Sequence, residues 1–417
     1  MAIADQGLVS IANFLTTVAL AKTLQIREFG FYSLLFATMT NVGGLINTLV
    51  SEPTRVLGVS KDARGNSTYA TTQLILNIAL TLPVVTVVFS VLHLVPSMHD
   101  SAALGVCAAI VLIGTQEVVR ALNAAAHRWG NVLISDFAYH GFKLALLAAL
   151  MLADSLRVDT VFWAVALGAA AGTGVHTFAG AQSRAPPRFT AELSRNWNYG
   201  KWLLLESIVF IASYSIYLYL VALLVDVEAA GAFNAAQTLV NSANVLWMGI
   251  TAFSIPAARR ALIEHGPLGW QKYLLDVGVG IVALTTGIGI LLSIFARPLL
   301  ILIFSPQYAH YAYLVPILAF GMVLTVCNSV LGIAFRTLEL PRTGFEAKLV
   351  SAAVTAVAAY PAIKYWGAMG AAIGLLLTQF SWLAVYIIKL MALRPVLAEH
   401  VAHVVAQSSA AGRVNRP

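Results

Sequence analysis

The sequence predicts an all-α, polytopic membrane protein of about twelve transmembrane helices, arranged as two six-helix lobes around a central cavity. Three observations lead there. Charged residues make up 10% of the 417 positions and hydrophobic residues 59%, whereas soluble domains carry roughly 25% charge; the mean hydropathy is +0.82. Apolar windows of about 20 residues, each long enough to cross a hydrocarbon core of about 30 Å, follow one another along the chain. The lysines and arginines between them fall mainly in alternate loops.

The windows place helices at residues 7–24, 31–50, 69–95, 102–119, 132–153 and 161–181. After a polar, basic stretch at 182–201, further windows lie at 203–225, 232–253, 274–295, 313–331, 349–365 and 367–388. The first window ends in Ala19-Leu20-Ala21, which has the form of a signal-peptidase site. Asp5, Gln6 and Asn13 stand where such a segment needs basic residues, so it reads as a retained helix. The expected organisation is an N-terminal lobe at 1–195, a C-terminal lobe at 196–390 and a cytoplasmic tail at 391–417.

The formal net charge of +7 would suggest nucleic acid in a soluble protein, but here the basic residues are topology signals and no nucleic-acid partner is expected. One class of loops, with the tail, holds Arg55, Lys61, Arg64, Arg120, Arg128, Arg184, Arg188, Arg195, Lys201, Arg259, Arg260, Lys272, Arg336, Arg342, Lys348, Lys389, Arg394, Arg413 and Arg416. The other holds Lys22, Arg27, Arg157, Arg297 and Lys364, while Lys143 lies inside a helix. Both termini are therefore expected in the cytoplasm. Cys107 and Cys327 lie in apolar runs and offer neither a disulfide framework nor a metal site. A Walker A loop, a zincin helix, a nucleophile elbow and a dinucleotide fingerprint are all missing from the sequence. The expectation is a protein that is not an enzyme, carries no cofactor and does not hydrolyse ATP.

The two halves echo one another. Asn41, Ser51 and Pro53 recur at the same offsets as Asn244, Ser254 and Pro256, with Arg55 matched one residue late by Arg259. Likewise Arg128-Trp-Gly130 before the fifth helix recurs as Arg342-Thr-Gly344 before the eleventh. Paired repeats of this kind are common in transporters.

Polar residues inside a bilayer are costly unless they face a partner or water, so their helical phase marks the helices that line a path. Stripes run along the first helix (Gln6, Ser10, Asn13, Thr17), the second (Thr38, Asn41, Gly44, Thr48), the seventh (Glu206, Ser213, Tyr217) and the eighth (Asn234, Gln237, Asn241, Asn244). Small and amide side chains also glue helices together, but their concentration in the first two helices of each half fits a cavity between lobes. The third, ninth and twelfth helices read as nearly apolar scaffolding.

Among the charged groups, Asp136, His140 and Lys143 share one face of the fifth helix at i, i+4 and i+7. They are candidates for contact with an anionic substrate, for a titratable element in ion coupling, or for an intrahelical ion pair. Glu206 is a candidate carboxylate for a coupling proton or cation, or a partner of Lys201 or Arg195. Arg55, Arg259 and Arg260 stand where the second and eighth helices meet the cytoplasm, as phosphate receivers or as topology signals. Glu117 and Arg120, at i and i+3, read as a surface pair.

Several segments carry a family resemblance. Asp5-Gln-Gly-Leu-Val-Ser-Ile-Ala-Asn13-Phe followed by Glu28-Phe29-Gly30-Phe31-Tyr32-Ser33 resembles the start of polysaccharide transporters of the Wzx type, in the multidrug/oligosaccharidyl-lipid/polysaccharide exporter (MOP) superfamily. The stretch from Arg120 to Asp136, Asn196-Trp-Asn-Tyr-Gly200-Lys-Trp202 and Gly231-Ala-Phe233-Asn-Ala-Ala-Gln237 resemble that family's approaches to its fifth, seventh and eighth helices. The resemblance implies a flippase of the bacterial inner membrane that moves polyprenyl-pyrophosphate-linked oligosaccharide outward by alternating access, for O-antigen or exopolysaccharide synthesis. It further implies membrane lipid, a polysaccharide polymerase and glycosyltransferases as partners. The chain departs from the pattern in lacking dense arginines deep in its first two helices, which leaves Arg55, Lys143 and Arg259 as the candidate pyrophosphate contacts.

Three alternatives compete. A multidrug/cation antiporter of the same superfamily would share the fold. A major-facilitator transporter is suggested by Gly58, Asp62 and Gly65, but Ala63, Asn66 and Ser67 break its loop motif. A membrane polysaccharide polymerase would need a large external loop with catalytic arginines, and the segment at 297–312 is short and poor in them.

Overall fold

The computed structural model describes residues 2–58, 67–95, 99–177, 189–338 and 340–393. Lys61, Asp62, Arg64, Gly65, Arg184, Arg188 and the tail beyond Leu393 lie outside the described residues, as do the side chains of Gln6, Asn244 and Pro256.

The helices are α1 (Ala2–Thr23), α2 (Ile26–Leu49), α3 (Ser51–Leu57), α4 (Ser67–His93), α5 (Asp100–Ala125), α6 (Trp129–Leu152) and α7 (Val158–Thr177). They continue with α8 (Phe189–Phe210), a π-helical turn (Ile211–Ser215), α9 (Ile216–Leu224), α10 (Val227–Asn241), α11 (Asn244–Ile294) and α12 (Ala296–Leu299). Last come a π-helical segment (Leu300–Phe304), a 3-10 helix (Pro306–Tyr313), α13 (Leu314–Thr337) and α14 (Pro341–Leu393).

Among the described residues, nine helical stretches are long and apolar enough to cross a membrane, with Gly7–Thr23 as a shorter apolar helix. Two long helices are each two passes joined at a glycine: α11 breaks at Gly266 (φ 66°) and α14 at Gly367 (φ 59°). Only glycine takes that left-handed backbone without strain. The sharp reversal in α14 also needs Gly370, where a Cβ would lie 1.9 Å from the Ala362 carbonyl oxygen. Counting α10 with the first part of α11, twelve helical passes result, in agreement with the sequence.

Burial confirms the solvent. On α4, Gln73, Asn77 and Thr81 are fully buried while Leu82, Val87 and Val91 are more than half exposed. Polar inside and apolar outside is the pattern of a helix in lipid, where side chains facing the bilayer must be apolar.

The chain divides into two compact units, Met1–Ile211 and Ala212–Pro417. The division falls within the seventh pass, at the π-helical turn Ile211–Ser215. In the first unit, α6 and α7 meet through Gly168 and Gly172, one helical turn apart. A Cβ on Gly168 would lie 2.9 Å from the Tyr139 carbonyl oxygen and 3.0 Å from the Lys143 Cβ; on Gly172 it would lie 2.9 Å from the Ser135 carbonyl oxygen. The Ser135 hydroxyl donates to the Gly172 carbonyl at 2.9 Å. This is the small-residue packing that brings membrane helices into backbone contact. Phe29 and Phe36 flank Tyr32 on α2, whose ring meets Phe162 of α7 at 5.7 Å.

In the second unit, Tyr217 is fully buried against Gly374, where a Cβ would come within 2.4 Å of its ring. Its hydroxyl shares a 3.0 Å hydrogen bond with Thr378, which bonds Thr355 at 2.8 Å; Thr355 donates to the Ser213 carbonyl. Asn328 on α13 donates to Gln379. The segment at 297–312, expected as a simple external loop, is folded into α12, the π-helical segment and most of the 3-10 helix.

Two sequence expectations are corrected here. The third helix is not apolar scaffolding, because Thr72, Gln73, Asn77 and Thr81 are fully buried along it. The twelfth pass likewise places Thr378 and Gln379 in the buried network of the second unit.

Candidate functional site

The first unit gathers charge where the first turns of α1 and α6 meet the last turns of α3 and α5. Arg120 on α5 reaches Asp5 on α1 at 2.5 Å and Asp136 on α6 at 2.9 Å, and Glu117 on its own helix at 3.4 Å. The Gln116 amide donates to Asp136 at 2.7 Å. Arg55 on α3 spans Glu52 at 2.5 Å and Glu117 at 2.7 Å. The result is a continuous network across α1, α3, α5 and α6. Each carboxylate in it meets a guanidinium, which offsets the cost of placing charge below the membrane surface.

This geometry corrects the reading of Glu117 and Arg120 as a surface pair. Arg120 is largely buried and joins three helices. The signal that would have shown it, two further carboxylates at positions 5 and 136, is invisible to a search confined to helical spacing. Asp136 pairs with Arg120 rather than with its helix neighbours His140 and Lys143. His140 instead stacks on Tyr139 at 4.3 Å.

Lys143 stands apart from the network. It lies 14 residues into α6, about 21 Å along the helix and so near the middle of the bilayer, with 2% of its surface exposed. Its ammonium donates to the Asn13 side-chain carbonyl at 3.1 Å and sits 5.5 Å from the Tyr139 ring centroid. Both partners are neutral, and among the described residues Lys143 makes no ion pair. The polar stripe of α1 thus meets the charged face of α6 at the Asn13–Lys143 bond.

The other candidates are placed as follows. Asn41 is half-buried on α2 and Glu206 half-buried on α8. On α10, Asn234 and Gln237 are half-buried and Asn241 is exposed. The Gln237 amide approaches the Tyr214 hydroxyl at 3.4 Å. Arg259 on α11 donates to the Thr337 carbonyl at 2.8 Å, beside the packed cluster of Ala258, Leu262 and Trp270. The structure brings Asn13, Asp136 and Lys143 into one region of the first unit, with Arg55 linked to it through Glu117. Asn234, Gln237 and Asn241 share α10 in the second unit.

No protein-family model matches the chain, and no curated protein matches it. Solved structures do. An inward-facing multidrug resistance MATE family transporter of the MOP superfamily superposes with a TM-score of 0.78 over 95% of both chains, at 12% identity. The lipid II flippase MurJ, in its inward closed conformation, gives 0.68 over 97% of this chain and 90% of its own, at 11% identity. A MOP superfamily transporter from Pyrococcus furiosus gives 0.64 over 96% and 94%, at 14% identity. The chain therefore shares the fold of these membrane transporters and of this flippase. Within that fold the chain is similar both to multidrug transporters and to a flippase, and these neighbours are transporters rather than enzymes.

Proposed function

We propose that this protein flips a polyprenyl-pyrophosphate-linked oligosaccharide across the bacterial plasma membrane by alternating access, for surface polysaccharide synthesis. The observation that carries the reading is Lys143, a buried cation near mid-bilayer whose partners, Asn13 and Tyr139, are neutral. An intramembrane charge with no counter-charge is a functional site by default, and an ammonium there suits an anionic phosphate passing through. The segments resembling Wzx-type transporters support the substrate class, and the fold shared with a lipid II flippase supports the direction of chemistry. Arg55 and Arg259 remain proposed phosphate contacts, with Asn41, Asn234, Gln237, Asn241 and Asn244 along the path.

A second reading, a cation-coupled multidrug antiporter, draws on the carboxylates Asp5 and Asp136 gathered on one guanidinium, with Glu206 as a further candidate. Deleting the gene separates the two. A flippase predicts lipid-linked oligosaccharide accumulating on the cytoplasmic leaflet and loss of surface glycan, restored by the wild type but not by Lys143→Ala; Arg55→Ala tests the second contact. Normal surface glycan with altered drug sensitivity would move the protein to the antiporter reading.

A further inference from the structure

The third pass holds a second polar feature, separate from the charged network. Gln73, Asn77 and Thr81 fall on one face of α4 at intervals of four residues, all fully buried. Facing them, Asn196 on α8 donates its amide to the Gln73 side-chain oxygen at 2.8 Å, and Glu192 lies one turn nearer the start of α8 on the same side. Asn77 also abuts α5, where a Cβ on Gly114 would lie 3.3 Å from both amide atoms.

Beyond the Gln73–Asn196 bond this seam is unsatisfied. The Gln73 Nε2, both Asn77 amide atoms, the Thr81 Oγ1, the Asn196 Oδ1 and the Glu192 Oε2 are buried without a protein hydrogen-bond partner. In a bilayer such a group costs about 2 kcal/mol or more, so six of them along one seam call for a ligand. Its chemistry follows from the atoms. A metal cation would satisfy the oxygens but would leave the Gln73 Nε2 and one Asn77 amide hydrogen pair pointing at like charge. Flipping the Asn77 amide exchanges its two atoms and still leaves one donor and one acceptor. Water both donates and accepts, with two to four partners per molecule.

We propose that the α4–α5–α8 seam binds a file of internal water, entered beside Glu192 and reaching Thr81, about 21 Å along α4 from its start and near mid-bilayer. By the basic-residue distribution, the entrance lies at the cytoplasmic end. The file bonds the first half of the seventh pass to the third through exchangeable hydrogen bonds, so this joint can re-pair without exposing amides to lipid.

The test is X-ray radiolytic labelling of the full-length protein in lipid nanodiscs, with a rapid switch into oxygen-18 water. Bound water yields hydroxyl radicals in place, so Tyr69 and Leu76, beside Asn77, should be labelled although buried, with slow isotope exchange, while Phe162, as fully buried as Leu76, stays unlabelled. The double variant Asn77→Leu/Thr81→Val should lose the labelling around position 77 and keep its melting temperature, because it removes unsatisfied groups. Wild-type labelling around Asn77 no higher than at Phe162 overturns the proposal, as does labelling that persists unchanged in the double variant. The wild-type measurement decides the matter even if the variant fails to fold.

Discussion

Replacing Lys143 by methionine tests the site most directly, because the structure predicts opposite outcomes for stability and transport. A lysine at the centre of a membrane helix costs about 2.5–3.5 kcal/mol on an insertion scale. Against this, its charged hydrogen bond to Asn13 contributes about 1.5–3 kcal/mol and the Tyr139 ring about 0.5–2 kcal/mol. The terms nearly cancel. Methionine has a similar length and no charge, so Lys143→Met should melt within a few degrees of the wild type. If the ammonium holds a passing phosphate, losing a charge-assisted bond of about 1.5–3 kcal/mol slows translocation roughly 10- to 150-fold. The assay is flipping of a pyrophosphate-linked oligosaccharide lipid in proteoliposomes, run beside thermal melting of the same samples. Wild-type flipping by the variant would refute the substrate role. A melting temperature lowered by more than about 5 °C, beyond what a near-cancelling balance allows, would show that the charge serves packing instead.

Other perturbations have equally definite outcomes. Arg120→Leu leaves Asp5 and Asp136 buried without their guanidinium, so it should destabilise the protein by about 3–5 kcal/mol; adding Asp136→Asn should recover part of the loss in the same melting experiment. Gly172→Val sets a branched side chain where even a Cβ lies 2.9 Å from the Ser135 carbonyl, and fluorescence-detected size-exclusion chromatography should show loss of the monodisperse peak. Asp154 ends α6 with a φ of 49°, with Ser155 N–H bonded to the Leu150 carbonyl at 3.0 Å. Asp154→Gly should therefore raise stability by up to about 1 kcal/mol, read as an increased melting temperature.

The passes were legible because a bilayer imposes a length: a window of about 20 apolar residues is hard to mistake. The two glycine reversals were also bracketed, since Gly266 falls between the eighth and ninth windows and Gly367 opens the twelfth. The third helix was misread for a related reason. Asn77 and Thr81 sit among leucine, isoleucine and alanine, and Gln73 opens that apolar run after two threonines, so averaging over a window hides three polar residues that a search at four-residue spacing would have found. Contacts between distant positions were beyond reach. Lys143 and Asn13 are 130 residues apart and Arg120 and Asp5 are 115 apart, and nothing in local spacing links them. Position along a helix can be read from a sequence, whereas the direction of a neighbour depends on how helices turn against one another.

The close approach of Gly168 to the Lys143 Cβ has a consequence for how the site can vary. The root of the lysine is fixed by a neighbouring helix at the level of its Cβ, whereas the ammonium is held only by soft, neutral partners. Even alanine at 168 sets a Cβ 2.9 Å from the Tyr139 carbonyl oxygen as well as 3.0 Å from the Lys143 Cβ, so α6 itself must give way and the charge moves with its helix. Position 168 thus sets where the cation stands, while the residue that carries the charge stays the same.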